Sequence, residues 1–505
     1  MQANLNSDTS KKKSLLRGGV VLTFFGIFAK FIGMFYRIPL TNILGAKGMG
    51  VYQMIFPVYA LLVSVTSTAV PILVSRNMNA LEDDRLKKGF FTETLKHSLL
   101  AGAFFGLMLI VGAKLLGFLQ GNDSVEYGYY IIAPAVFFVS VLSAFRGWFN
   151  ASLNTLHTAL TSVFEQAFKL SGILAAYLVK ATGFAAVMIA LSGIVLSELI
   201  ACVYALILFF VKGGRFERGI IKIPVSAFLG ASIPLTIGGL VFPIALFADS
   251  ILVVRFLELS GMEHGMAISE YGIFSGAVGT LINVPASLAI SFAITMIPVV
   301  ARHKKERNIE GIKQGEMSAL KAVLMIALPS TVALFVVAKP LMGFLYPRFT
   351  LEEQTQAVFL LRISVLQIPI ISVLQLYGAY LQALDKGVIS ARNMLIAGIV
   401  KLAVNFSAIK IGIIGIVIAN TLCYVVCAAL DIYYGRVLSG KNQFKGGLGI
   451  VLSTAAMGVV MAIILNKISN KILSFALSVL IGGLIYVIIL LCYNKINRKF
   501  GKQHQ

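Results

Sequence analysis

Residues 184–211 read FAAVMIALSGIVLSELIACVYALILFFV, a run of apolar side chains with one charged group, Glu198. A helix rises ~1.5 Å per residue, so a run of this length crosses the ~30 Å hydrocarbon core of a bilayer. Working outward, thirteen further runs of the same kind lie near 15–38, 50–75, 92–118, 129–150, 159–180, 226–257, 271–300, 317–339, 357–380, 391–409, 412–433, 447–466 and 472–493. The composition agrees: of 505 residues 58% are hydrophobic and 13% charged, with a mean hydropathy of +0.89, whereas soluble domains are ~25% charged. A soluble enzyme and a disordered chain are both excluded. The expected fold is an all-α polytopic membrane protein of fourteen transmembrane helices.

The net charge of +22 is distributed in short clusters between spans, such as Lys11 to Lys13, Arg85 to Lys88, Arg302 to Arg307 and Lys495 to Lys502. The alternate loops are poor in base and hold Asp123, Glu126, Glu258, Glu263, Glu270, Glu352 and Glu353. This alternation places both termini in the cytoplasm and gives no reason to expect a nucleic-acid partner. The first span opens like a signal peptide, but Lys30 interrupts it and no A-x-A site follows, so it reads as retained. Cys202, Cys423, Cys427 and Cys492 lie inside apolar runs without metal-ligand spacing, so no metal and no cofactor are expected.

The chain repeats itself at an offset of about 220 to 230 residues. Arg37 and Tyr52 recur as Arg255 and Tyr271, and Pro57 and Pro71 as Pro285 and Pro298. Gly147, Lys169 and Gly193-Ile194-Val195 answer to Gly378, Lys401 and Gly415-Ile416-Val417. Two six-helix lobes follow, 1–225 and 226–440, related by a pseudo-two-fold axis along the membrane normal. Residues 441–505 add two helices and a basic tail. Repeats of this kind mark secondary transporters, although an ancient duplication in a static scaffold would look the same.

An ionisable side chain at mid-membrane costs ~2.5 to 3.5 kcal/mol, so those retained there face a partner or a polar path. Within the spans lie Lys30, Lys169, Arg255, Arg362 and Lys401 against Glu165, Glu198 and Asp249, with Arg37 at a boundary. That basic balance suits an anion rather than a drug cation. Lys30 and Arg37 are seven residues apart and share a helix face; with Arg255 they are read as a substrate-binding cradle for pyrophosphate. The alternative for Arg37, Arg255 and Arg362 is snorkelling to the interface. Glu165 and Lys169, at i and i+4, read as a structural pair. The repeat mate Lys401 has Ala397 where that acid would stand, and Asp249 is the candidate counter-ion. A coupling ion, Na⁺ or H⁺, competing for Asp249 beside Asn405 and Asn420 would then drive or gate the cycle, the alternative being a permanent buried ion pair.

The stretch Lys30-Phe-Ile-Gly-Met-Phe-Tyr-Arg37 running into Leu44-Gly-Ala-Lys-Gly-Met-Gly-Val-Tyr52, with the spans and repeat, resembles the MOP exporter superfamily. Within it, the chain resembles the polysaccharide-export branch that contains stage V sporulation protein B and the MurJ-type lipid II flippases. The resemblance implies a MATE-like fold and alternating access. It also implies carriage of lipid-linked cell-wall saccharides across the bacterial cytoplasmic membrane, with basic residues on helices 1, 2 and 8 facing the ligand. Lys30 and Arg37 match the first pair, Lys30 replacing an arginine. The second span from Pro57 to Pro71 and the eighth from Gly272 to Pro298 carry no base, a departure that Arg255 compensates. A Na⁺ site among helices 7, 11 and 12, implied by some relatives, falls at Asp249 and Asn405, with Lys401 as a substitute for the cation.

The expected function is a flippase for an undecaprenyl-pyrophosphate-linked saccharide, foremost the peptidoglycan precursor lipid II. The alternatives are teichoic-acid, capsular or exopolysaccharide repeat units and, behind them, a drug/cation antiporter. No covalent chemistry and no catalytic residue are expected, since the outer loops near 258–270 and 340–356 are too short for a catalytic platform. The expected partners are the lipid-linked substrate, membrane lipids and cell-wall synthesis proteins.

Overall fold

In lipid every backbone N–H and C=O must be satisfied within the segment, so apolar runs of this length fold as helices. The computed structural model of the chain describes the backbone apart from residues 1, 153–154, 295–296, 440–446, 469 and 504–505. Side chains are described apart also from 2–31, 34, 238–239, 241–242, 292–294, 297–298, 438–439, 471, 494 and 496–503. The described residues are helical, with no strand among them.

The chain divides into two units, residues 1–258 with 263–272, and residues 259–262 with 273–505. The first begins with α1 (Gln2–Ser67), a long helix broken at Gly45, where φ is 67° and ψ 179°. Glycine is the residue that adopts this backbone without strain, so the break falls where the two expected spans were to be joined. α2 (Val70–Ala80) carries Pro71 in its first turn, where a missing N–H costs nothing. Then follow α3 (Asp84–Gln120), capped by the Asp83 side chain and ended by Gly121 in the left-handed region, α4 (Val125–Ala151), α5 (Thr155–Leu178), α6 (Gly183–Val211), α7 (Val225–Leu259) and the short α8 (His264–Tyr271). Phe91, Phe145, Trp148, Phe149 and Phe209 form a buried aromatic core between α3, α4 and α6. Such packing holds the helices by close contact, because lipid tails offer no hydrophobic drive between them.

The second unit begins with a π-helical stretch (Gly272–Val278) and α9 (Gly279–Ile294), then α10 (Ile297–Lys305), whose second residue is Pro298 and whose last turn is basic. α10 is thus the counterpart of α2, each a short helix opened by the second proline of its repeat. α11 (Ile309–Leu345) is capped by Asn308, α12 (Leu351–Ser364) by a Thr350–Glu353 capping box, and α13 (Gln367–Ala383) continues from α12 across a 49° bend. α14 (Gly387–Ser407) and α15 (Ile413–Ser439) form a hairpin, and α16 (Gly447–Lys467) and α17 (Lys471–Gln503) complete the unit. Val300, Val323, Tyr377 and Tyr380 lie in its core, and Met457 and Met461 of α16 pack on Val337 of α11.

Among the described residues ten helices are long and apolar enough to cross a membrane, or eleven with the bent α12–α13 pair. The protein is a multi-pass membrane protein. Each of the fourteen expected spans falls on helix, but three do not reach that standard. The span 15–38 falls largely on residues whose side chains are not described. α7 is interrupted in the same way, and α5 is made more polar by Glu165, Gln166 and Lys169.

Candidate functional site

The charged groups of the spans do not stand alone. α5 and α6 approach most closely at Gly172 and Gly193, where a Cβ on Gly172 would lie 2.8 Å from the Gly193 Cα and one on Gly193 2.5 Å from the Gly172 Cα. Only glycine permits that distance, and it brings the next polar side chains together. Lys169 Nζ lies 2.8 Å from Glu165 Oε1 and 3.4 Å from Glu198 Oε1. Arg146 of α4 adds its Nη2 at 2.9 Å from Glu165 Oε2 and donates from Nε to Thr161 Oγ1 at 3.0 Å. Tyr59 of α1 donates to Glu198 Oε1 at 3.1 Å. Two acids and two bases are thereby neutralised, and one oxygen, Glu198 Oε2, is buried with no hydrogen-bond partner among the described atoms.

The expected pair Glu165–Lys169 is therefore part of a larger cluster. Arg146 and Tyr59 were not legible as members: Arg146 lies near a span boundary, where snorkelling explains it equally well, and a tyrosine among apolar residues carries no charge to be balanced. The available sign was Glu198 itself, the lone acid of the run 184–211. Such an acid needs a base from a neighbouring helix, and the glycine contact that identifies α5 as that helix is seen only in the structure.

Of the expected substrate cradle, Lys30 falls on α1 but its side chain lies outside the described residues. Arg37 is half-buried, its guanidinium carbon 5.5 Å from the centroid of the Phe56 ring. The Gln166 amide oxygen rests against Gly33, between those two positions on α1, while the Gln166 Nε2 donates to Glu165 Oε1 at 3.2 Å. Tyr36 and Tyr52 bring their hydroxyls to 3.3 Å, and the Tyr52 hydroxyl lies within electrostatic reach of both Arg37 and Lys169. Arg255, on α7, donates from Nη2 to Phe118 O at 2.6 Å and from Nε to Leu119 O at 3.4 Å, with Nη1 3.6 Å from Glu258. Its guanidinium thus covers carbonyls at the end of α3, of which Phe118 O also accepts from the Gly121 N–H, a favourable place for a cation. Among the described residues Arg37 and Arg255 have separate partners. Glu258 also meets His264 at 2.5 Å.

Asp249 is buried on α7 in the first unit. In the second unit Lys401, Asn405 and Asn420 are buried on the α14–α15 hairpin. Asp431 of α15 accepts from Ser390 and Asn393 of α14, each at 2.7 Å, which fixes the hairpin register. That register sets Asn405 and Asn420 at one level near the turn at Gly412, where φ is 61°. Both amide atoms of Asn405 and the Oδ1 of Asn420 have no hydrogen-bond partner among the described atoms. Arg362 is exposed and stacks over Phe335 at 5.6 Å, as snorkelling requires. No group of three metal-ligating side chains occurs among the described residues.

Residues 15–304 match the family model described as polysaccharide biosynthesis protein. Stage V sporulation protein B of Bacillus subtilis (strain 168) is 23% identical over 488 residues, covering 93% of this chain and 88% of that protein. Lipid II flippase MurJ of the same organism is 23% identical over 496 residues, covering 92% and 90%. Among solved structures, lipid II flippase MurJ in an inward closed conformation superposes with a TM-score of 0.75 at 16% identity, over 94% of this chain and 99% of that one. An inward-facing multidrug resistance MATE family transporter of the MOP superfamily gives 0.69 at 14% identity, over 81% and 94%. The fold is that of these solved structures.

Proposed function

The chain belongs to the polysaccharide biosynthesis protein family, and on that premise we propose that it is a flippase for an undecaprenyl-pyrophosphate-linked saccharide, lipid II foremost, in the bacterial cytoplasmic membrane. One observation carries the reading: the charge within the spans is basic, with Lys30 and Arg37 seven residues apart in the sequence, in a chain similar over nine-tenths of its length to a lipid II flippase. A pyrophosphate needs such donors, Arg as a fork and Lys as a point charge. Lys30, Arg37 and Arg255 are the residues assigned to the headgroup. The lipid tail remains in the bilayer, both termini are cytoplasmic, and binding alone, without covalent chemistry, distinguishes the two faces of the cycle.

Coupling is assigned to Asp249, Lys401, Asn405 and Asn420, with Na⁺ or H⁺ as the ion. Support comes from the unpartnered amide of Asn405, which offers a buried carbonyl oxygen and N–H₂ to a small guest. A second reading, a flippase for teichoic-acid, capsular or exopolysaccharide repeat units, is supported by the description of the family, which names polysaccharide biosynthesis and no one cargo. A drug/cation antiporter shares the fold but not the basic interior.

Depletion of the protein in its host, with a probe for the membrane face on which lipid II resides, tests the proposal. Lipid II accumulates on the inner face, and Lys30→Ala, Arg37→Ala or Arg255→Ala at normal protein level reproduces this. Unchanged lipid II with loss of another surface polymer transfers the cargo to the second reading. Full complementation by all three variants rejects the cradle.

A further inference from the structure

The cluster on α4, α5 and α6 contains one group with less compensation than the rest. Glu165 has two cations within 2.9 Å, Arg146 and Lys169. Glu198 shares Lys169 at the longer 3.4 Å, accepts from Tyr59 through the same oxygen, and leaves Oε2 bare although the residue is 1% exposed. A bare carboxylate oxygen in an apolar surround is costly, whereas a carboxyl that takes a proton there sheds the charge and most of the cost. The titratable and charged groups around it are Tyr59 and Tyr52 of α1, Arg146 of α4, Glu165 and Lys169 of α5, and Cys202 one turn along α6.

We infer that Glu198 is a proton-exchanging carboxyl, and that its protonation strengthens the hold of the first unit on an anion. The O–H bond forms at Oε2 with a proton drawn from water, and the proton returns to water when it breaks; nothing is oxidised or reduced. With Glu198 ionised the cluster of Arg146, Lys169, Glu165 and Glu198 is neutral, and with it protonated the cluster carries one net positive charge. That charge is transmitted toward the basic face of α1, since Tyr52 stands within reach of both Lys169 and Arg37 and Gln166 rests against Gly33. At a separation of about 10 Å and the effective dielectric of a protein, one added charge changes anion affinity on the order of tenfold. The effect on cargo rests on the flippase reading above; the proton site does not.

The full chain in lipid nanodiscs serves for two measurements. Difference infrared spectroscopy between neutral and acidic pH should show a protonated-carboxyl band that Glu198→Gln removes and Glu165→Gln leaves. Tyr59→Phe keeps every charge and deletes one donor to the carboxylate, so it should move that band's midpoint to higher pH. Absence of a band lost in Glu198→Gln overturns the proposal, and if that variant does not fold, an unmoved midpoint in Tyr59→Phe overturns it equally. Farnesyl pyrophosphate is the probe for the second measurement. Because the probe itself titrates, the quantity read is the ratio of Kd for the native chain to that for Glu198→Gln. It should be on the order of ten at high pH and fall to one in acid; a ratio that does not vary with pH overturns the link to the anion. Failure of farnesyl pyrophosphate to bind either protein at any pH, with the band present, rejects the cargo reading and leaves the proton site standing.

Discussion

Lys169 serves two acids, and its worth is measured by what its loss leaves behind. Lys169→Met strands Glu198 with one tyrosine and Glu165 with one arginine, and breaking such a buried arrangement costs ~3 to 5 kcal/mol. The unfolding midpoint in detergent should drop accordingly, and Lys169→Met with Glu198→Gln should recover part of it; strict additivity would deny the contact. At the surface the arithmetic is different. Lys304 lies 2.6 Å from Asp385 in the α13–α14 turn and holds its carboxyl below the usual aspartate range. A carboxyl depressed in the folded state contributes above its unfolded value of ~3.9 and loses the contribution as pH falls through the depressed one. The midpoint difference between the native chain and Asp385→Asn should thus be present at neutral pH and vanish in strong acid. Asp385 is fully in water, so the difference is small. At this scale the sequence displayed charges but not their partners: Glu165 and Lys169 declared themselves by spacing, while Arg146 and Tyr59 came from other helices.

Between helices, distance is set by the smallest residues. α5 and α6 meet at Gly172 and Gly193, backbone against backbone. A leucine at 193 has nowhere to go, so Gly193→Leu should part the helices, lengthen the Lys169–Glu198 contact and cost at least the ~1 to 3 kcal/mol of an overpacked core. Gly193→Ala should fall between the two in thermal unfolding, and an unchanged midpoint in both would show that the contact is looser than described. The aromatic core is the complement of this: Phe209→Ala leaves a void among Phe91, Phe145 and Trp148, at a cost on the order of 2 kcal/mol from the cavity. Element by element the sequence was informative. Pro71 and Pro298 each open a short helix that the repeat had paired, because a proline has few other places in a helix to stand. The bend between α12 and α13 was not foreseen, although its breaker stands in the sequence: Pro369, the third residue of α13, has no N–H to bond the carbonyl one turn back at the end of α12, so the helix cannot run straight through.

For the molecule as a whole, hydropathy decides the most and says the least about function. Leu480, Leu484, Ile488 and Leu491 of α17 are exposed at 65, 62, 56 and 63%, which in a bilayer means contact with acyl chains. Leu484→Arg should cost ~2.5 to 3.5 kcal/mol on an insertion scale and lower the membrane-integrated yield, whereas Leu484→Phe should not. The all-helical, many-span architecture was legible because lipid admits only helices and closed barrels, and continuous apolar runs of ~20 residues fit the helix and not the alternating strand of a barrel. The number of clear spans was less so, as a span that carries ionisable side chains reads as less apolar: α5 falls short because it bears Glu165, Gln166 and Lys169. The cargo was the least legible feature, since the basic side chains that would suit a pyrophosphate would suit any anion.

The break at Gly45 makes the first part of α1 a lever with its fulcrum at the glycine. Arg37 stands eight residues from the fulcrum and Lys30 fifteen, lever arms of ~12 and ~22 Å at helical rise. A tilt of about 10° there carries the Lys30 backbone by ~4 Å and that of Arg37 by only ~2 Å. A single hinge there therefore moves the two basic positions of α1 by unequal strokes, the far one about twice as far as the near one.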